Sequence, residues 1–307
     1  MADDNIFGCD KMVVMPREAL SGWTIGRILG IPIVIAPSWV IIAILIFWSL
    51  GVAIFPAMAP GVSLAVWGMA LAGTILFFAS IVAHELSHSL VSRHFGMRVR
   101  RIVLFVFGGV SETIQEMPSA AAEFWIAIAG PLCSFGIAGI FAASSVIAGY
   151  WGWLPGSIAT SWLAAVNLLL GLFNLLPGFP LDGGRILRSL LWAWRGQFLS
   201  ATRQASWLGE GMAVLLGLWG ISRALLFGDW LGLIWLSLLA LLLFNAAEAS
   251  YQQARLLFAL RRVPVGDVMR LDVHPLRADA LVREAVQEVI ARYHDGAYPV
   301  ADEGQAL

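Results

Sequence analysis

The sequence predicts an all-α polytopic membrane protein: about six transmembrane helices, a membrane-associated β-hairpin and a small cytoplasmic α/β tail. Three observations carry that reading. Of the 307 residues, 59% are hydrophobic and 13% charged, about half the charged share of an ordinary soluble domain. Mean hydropathy is +0.81. The remaining charges cluster between long apolar stretches instead of scattering through them. This composition excludes a soluble enzyme and a disordered regulator. A net charge of -1 excludes the basic footprint of a nucleic-acid binder. Fourteen Trp, seventeen Phe and thirty-one Gly suit a chain in lipid, where aromatics sit at interfaces and glycine lets helices approach. Cys9 and Cys133 lie in different surroundings and imply no disulfide framework.

Residues 1–36 read as a cytoplasmic, interfacial segment. The first twenty are polar without a secretory signal pattern, so the first span is expected to act as the insertion signal. A helix needs about 20 apolar residues to cross the hydrocarbon core. Between Pro37 and Ser92 the sole acid or base, histidines aside, is Glu85. That stretch holds two spans, 37–55 and 62–93, with a turn from Pro56 to Pro60. Residues 99–114, V-R-R-I-V-L-F-V-F-G-G-V-S-E-T-I, are β-branched and aromatic, with Gly108-Gly109 as a turn signal. They are too few for a span and read as a hairpin entering from the cytoplasmic side. Further spans are expected at 121–149, 157–176, 205–226 and 230–248, so that 37–250 forms one intramembrane domain. Charges return after Arg262, and 263–307 reads as strand, helix, strand in a tail too short for a sizeable core.

Orientation follows from arginine. Arg93, Arg98, Arg100 and Arg101 follow the second span, Arg185, Arg188, Arg195 and Arg203 lie between the fourth and fifth, and Arg255, Arg261 and Arg262 follow the sixth. Lys11, Arg17 and Arg27 precede the first. All fall on one side, which the positive-inside rule makes the cytoplasm. Arg223 alone breaks the pattern, near an outer helix end from which it can snorkel. Both termini are therefore expected in the cytoplasm, and the membrane is expected to be a prokaryotic inner membrane.

Within the charge-poor stretch sits His84-Glu85-Leu86-Ser87-His88. On a helix, positions four apart differ by about 40° in direction, so the two imidazoles share a face. That spacing can hold one Zn²⁺, which lowers the pKa of a coordinated water to about 7, with Glu85 as the base. The bland alternative is a polar cluster that stabilises helix contacts. It leaves three ionisable groups within five residues at membrane depth, where each costs about 2.5–3.5 kcal/mol. A metal site supplies the compensation. His94 reads as interfacial, and His274 and His294 lie in the tail, where a histidine costs little.

A catalytic zinc site needs a third protein ligand. Asp182, Cys133, Glu123 and Glu210 are the candidates near membrane depth. Asp182 ends the helix-breaking run Asn174-Leu-Leu-Pro177-Gly-Phe-Pro180-Leu-Asp182-Gly183-Gly184-Arg185. Broken backbone at that depth is tolerated only beside protein or a watery cavity. Taken alone, Asp182 reads equally as a ligand or as the N-cap of the Arg185–Trp194 segment.

These residues resemble the site-2 protease family of intramembrane zinc metalloproteases. The resemblance rests on His84-Glu85-x-x-His88, on Asn174-x-x-Pro177-x-x-Pro180-x-Asp182-Gly183, and on their separation by two spans. It extends to Gly26-Arg27-Ile-Leu-Gly-Ile-Pro32-Ile and to Ala129-Gly130-Pro131, and 263–307 is similar to the start of a CBS domain. The resemblance implies one Zn²⁺ per chain held by His84, His88 and Asp182, with Glu85 as catalytic acid/base. It implies that Asn174 positions the substrate or its oxyanion, and that the hairpin with Gly108 and Gly109 pairs with an unwound substrate strand. It also implies membrane-anchored protein substrates, a nucleotide at a complete CBS module and room for a homo-oligomer. The competing readings are a metal-ion transporter, which would spread polar ligands along several spans, and a non-catalytic scaffold, which has no need of Glu85.

Overall fold

The computed structural model describes residues 22–58, 65–105, 108–113, 117–261, 263–268, 276–290, 298 and 300–301. Six helical stretches are long and apolar enough to span a membrane: Pro37–Met58, Ala65–His94, Ala120–Tyr150, Leu154–Asn174, Phe198–Phe227 and Trp230–Leu260. The chain is a multi-pass membrane protein. It divides into two compact units, Met1–Arg255 and Leu256–Leu307.

The first unit opens with strands β1 (Trp23–Ile28) and β2 (Ile31–Ile35). They are antiparallel and joined by Leu29-Gly30, whose φ values are 50° and 79°. A two-residue turn of that hand matches the twist of the strands, and the glycine adopts it without strain. Helix α1 (Pro37–Ser49) starts with proline in its first turn, where no N–H is needed. It continues as a π-helical stretch, Leu50–Ile54, into α2 (Phe55–Met58). The expected turn at Pro56 is therefore partly helix. Pro56 lacks an N–H and would crowd the Val52 carbonyl in an α-helix; the wider turn, with Phe55 N–H donating to the Leu50 carbonyl, accommodates it. The rest of that turn lies outside the described residues.

Helix α3 (Ala65–His94) leads to β3 (Val99–Phe105) and β4 (Gly108–Thr113), an antiparallel hairpin with Val103 opposite Val110. Two features depart from expectation. Gly108 and Gly109 are not the turn but the first residues of β4, paired with Phe105 and Leu104. The hairpin is also not isolated: β3 runs parallel to β2, with Ile33 opposite Ile102, giving a four-stranded sheet in the order β1-β2-β3-β4. Ile31, Ile33, Ile102 and Leu104 are buried against Trp39 of α1 and Ile81, Val82 and Leu86 of α3. The Gly26–Ile33 segment thus builds half of this sheet. Period and propensity give no register between strands separated by two spans.

Helix α4 (Ala120–Tyr150) contains Pro131 and buries Glu123, Ile126, Ala127, Gly130, Ser134 and Ala138, a stripe recurring every three to four residues. It packs against α3, α5 (Leu154–Asn174) and α6 (Asp182–Arg195). Between α5 and α6 the chain breaks at 175–181, and its Phe179 N–H reaches the Ala205 carbonyl of α7 (Phe198–Phe227) at 3.2 Å. Glycines permit that approach. A Cβ on Gly178 would stand 2.6 Å from the Gly209 backbone, and one on Gly184 would strike the Gly178–Phe179 peptide. Helix α8 (Trp230–Leu260) runs past the expected end at 248. Arg223, the basic residue that breaks the expected charge pattern, pairs with Asp229 beyond the end of α7 at 2.7 Å.

In the second unit, β5 (Leu276–Arg277) pairs in parallel with β6 (Val300–Ala301), and α10 (Val282–Glu284) runs into a π-helical turn, Ala285–Ile290. The expected strand at V-P-V-G-D-V-M holds instead the single helical turn α9 (Val265–Val268). Pro264 favours a helix start, and Gly266 interrupts the β-branched run. Part of the CBS-like segment, 269–275, 291–297, 299 and 302–307, falls outside the described residues, as do Cys9, Lys11, Arg17, His274 and His294.

Candidate active site

His84 and His88 lie on one face of α3, in its last three turns, and both are buried. Asp182 comes from the first turn of α6, where the re-entrant loop delivers it. Its N-cap is Leu181, and no side chain caps the helix, so the capping alternative for Asp182 does not hold. Instead, Asp182 Oδ2 stands 3.2 Å from His84 Nε2 and 3.1 Å from His88 Nε2, and the two Nε2 atoms are 3.2 Å apart. Ligands of a tetrahedral zinc at 2.0–2.1 Å are separated by about 3.3 Å. The three atoms are thus spaced as one face of such a tetrahedron would be.

Proton placement supports a cation there. His88 Nδ1 lies 2.6 Å from the Ile126 carbonyl, which can only accept, so Nδ1 carries the hydrogen. In the neutral form of the ring, Nε2 points its lone pair at the other two atoms. The Ser134 hydroxyl, 2.9 Å from His84 Nδ1, can accept from that ring in the same way. Three lone-pair-bearing atoms then face one another, an arrangement that a cation relieves. Among the described residues, His84, His88 and Asp182 form the one group of three or more possible metal-ligating side chains.

Helix α4 can lie this close only because residue 130 is glycine. A Cβ there would overlap His88 Nε2 and stand 2.6 Å from His84 Nε2. On the other side, β4 covers Glu85: a Cβ on Gly109 would stand 2.5 Å from Glu85 Cγ and 3.3 Å from Oε1. Ser89 Oγ, which donates to the Glu85 carbonyl at 2.9 Å, also meets Ser111 Oγ at 2.9 Å and ties α3 to β4. Arg185 Nη1 stands 3.7 Å from Asp182 Oδ1, the oxygen turned away from the histidines.

The other candidates are placed elsewhere. Glu123 pairs with Arg188, with Nε at 2.8 Å. Glu210 faces Arg203 at 3.5 Å, and Cys133 Sγ donates weakly to the Ala83 carbonyl at 3.6 Å. Asn174 directs its amide nitrogen to the Leu170 carbonyl of its own helix at 3.0 Å. Gly108 has open space around it, unlike Gly109. Sequence reasoning missed Ser134 and the Ile126 carbonyl, because a partner to the second imidazole nitrogen can come from any helix.

Similarity to known proteins bears on the family to which the chain belongs. The peptidase family M50 profile matches residues 72–152 and 156–218, a span that holds both halves of the cluster. Rip3 of Mycobacterium tuberculosis, named as a zinc metalloprotease, is 35% identical over 283 residues, which are 91% of this chain and 71% of that protein. Zinc metalloprotease MJ0392 of Methanocaldococcus jannaschii is 32% identical over 234 residues, 76% of this chain and 65% of that one. The solved site-2 protease from the same organism superposes with a TM-score of 0.51 at 29% identity, covering 75% of this chain and 95% of that chain. With its histidine pair and its aspartate brought together from two elements that both lie inside the matched region, the protein belongs to peptidase family M50 and is a metalloprotease of the site-2 type.

Proposed function

We propose that this protein hydrolyses peptide bonds in or near transmembrane segments of membrane-anchored proteins, with His84, His88 and Asp182 as zinc ligands and Glu85 as acid/base. One observation carries the reading: two Nε2 atoms and one carboxylate oxygen converge at 3.1–3.2 Å inside the bundle, with a glutamate next to them in the chain. Zinc bound there supplies Lewis acidity and a water acidified to about pKa 7. Ile126 and Ser134 hold the rings so that the Nε2 atoms point inward. Glu85 would take a proton from the attacking water as the C–O bond forms at the scissile carbonyl carbon, and then give it to the leaving amine as the C–N bond breaks. Asn174, at the end of α5, is the candidate to orient the substrate.

A substrate helix must unwind first, which leaves its peptide groups unpaired at several kcal/mol each. Strand β4 is an edge of the sheet, and its Gly109 lies over Glu85. Pairing of the unwound segment with that edge would satisfy those groups beside the acid/base. His84 lies about 29 Å along α3 from Ala65 and about 15 Å from its end, on the arginine-rich side. That supports release of the product into the cytoplasm of a prokaryotic cell, with both termini on the same side. The division into 1–36, 37–250 and 263–307 is part of the same reading.

The test is reconstitution of the full chain with a single-span substrate, comparing it with Glu85→Gln. Cleavage by the parent and none by the variant is expected. Equal cleavage by both overturns the mechanism, and zinc flux into sealed vesicles without cleavage would favour a transporter.

A further inference from the structure

A second charged pair lies deeper in the fold than its residue types predict. Glu123 is fully buried on α4, and its Oε1 accepts from both Nε and Nη2 of Arg188 on α6. The Arg188 guanidinium lies 4.8 Å from the Phe179 ring centroid and 4.7 Å from that of Phe198. Its partners therefore come from three places: the helix behind the histidines, the loop that delivers Asp182, and the start of α7. Glu123 is one turn before Ile126, whose carbonyl holds His88. Arg188 is about two turns after Asp182 on α6.

We infer that the Glu123–Arg188 pair positions the metal centre, fixing the carboxylate of α6 against the histidines that α4 orients. This rests on the assignment of His84, His88 and Asp182 as the ligands. A buried ion pair is weak evidence for stability, because apolar residues of the same volume often serve as well or better. What a planar guanidinium gripping one carboxylate does supply is directional fixing of two helices. Here the two helices are α6, which carries Asp182, and α4, whose Ile126 carbonyl holds His88; the 3.1–3.2 Å contacts to Asp182 run from the ring that α4 orients and from its neighbour on α3. Neither residue touches the reacting atoms; both act through Ile126 and Asp182.

The experiment measures zinc affinity of the purified full chain by competition with a chelator, alongside thermal unfolding. Glu123→Gln is expected to weaken zinc binding about 10–100-fold. Should that variant unfold because Arg188 is left unpaired, Glu123→Gln/Arg188→Met removes both charges and keeps the packing between the two rings. The double variant is expected to fold and still to bind zinc more weakly. Zinc affinity within twofold of the parent in either folded variant overturns the inference and leaves the pair a structural contact. Asp182→Ala is the control. Parent-like zinc affinity in that variant overturns the ligand assignment, and the inference with it, whatever Glu123→Gln does.

Discussion

Helices α3 and α8 have the same mean hydropathy, 2.0, over their most apolar windows, yet 39% of the α3 window is buried inside the protein against 11% for α8. Apolar content commits both to lipid and says nothing about which becomes the centre. The difference lies in what each buries. Gly73, Thr74, Ser80, His84, His88, Ser89 and Ser92 turn inward on α3, whereas the buried residues of α8 are Ala240, Ala247 and Ala254. In lipid, apolar surface gains nothing by turning inward, so small and polar groups select the helix contacts. Of the polar ones, His84 and His88 meet Asp182, whereas Thr74, Ser80 and Ser92 donate to carbonyls four residues earlier on α3.

The sharpest way to break that contrast is to remove the polar face of α3. His88→Ala is expected to take zinc from about one per chain to near none, because two protein ligands do not hold it. Glu85→Gln should keep its zinc and lose about 10²–10⁴-fold in cleavage rate. Metal analysis and a cleavage assay on the same preparations check both, and retained zinc in His88→Ala would defeat the ligand reading.

Next comes the fit of α4 against that face. Gly130→Ala places a methyl group on the histidines and should weaken zinc binding by about 10-fold or more. Gly136→Ala, on the same helix with open space around it, should match the parent. Equal chelator competition for the two variants would contradict the packing argument.

Helix α8 offers a smaller effect. Ala247 is fully buried beside Phe179 and Ala205, so Ala247→Leu should cost about 1–3 kcal/mol by overpacking. Leu241 is 60% exposed, and Leu241→Ala should stay within about 0.5 kcal/mol. Unfolding in mild detergent distinguishes them.

A small change is also expected in the sheet. Arg101 and Glu112 pair across β3 and β4 at 2.8 Å, but both are partly exposed. Arg101→Gln should cost at most about 1 kcal/mol, and a loss of several kcal/mol would show that the hairpin is held by this pair and not by its buried Ile102 and Leu104.

The spans were legible because hydrocarbon tolerates one pattern, and their expected positions fall within a few residues of the helices at most ends. The exceptions are α7, which begins at Phe198 and not at 205, and α8, which continues past 248 to Leu260. The pair of motifs was legible because ionisable groups are rare at depth. Residue type and depth alone left Asp182, Glu123, Glu210 and Cys133 as candidates for the third position, with the helix-breaking run favouring Asp182 and the family resemblance naming it. Folding decided among them by giving Glu123 to Arg188 and Glu210 to Arg203. The glycines of the hairpin were misread because two adjacent glycines signal a turn equally well when they begin a strand under a close neighbour, as Gly109 does over Glu85.

The sequence by itself determined that this chain crosses a membrane and that His84, Glu85 and His88 share a helical turn. Those properties follow from composition and from a helical period acting over a few residues. Tertiary structure alone decided that β2 joins β3, that α4 supplies Ser134 and the Ile126 carbonyl to the two rings, and that Asp182 reaches them from a broken loop. Each of these depends on contacts between segments far apart in the chain, and no local preference encodes the distance between helices.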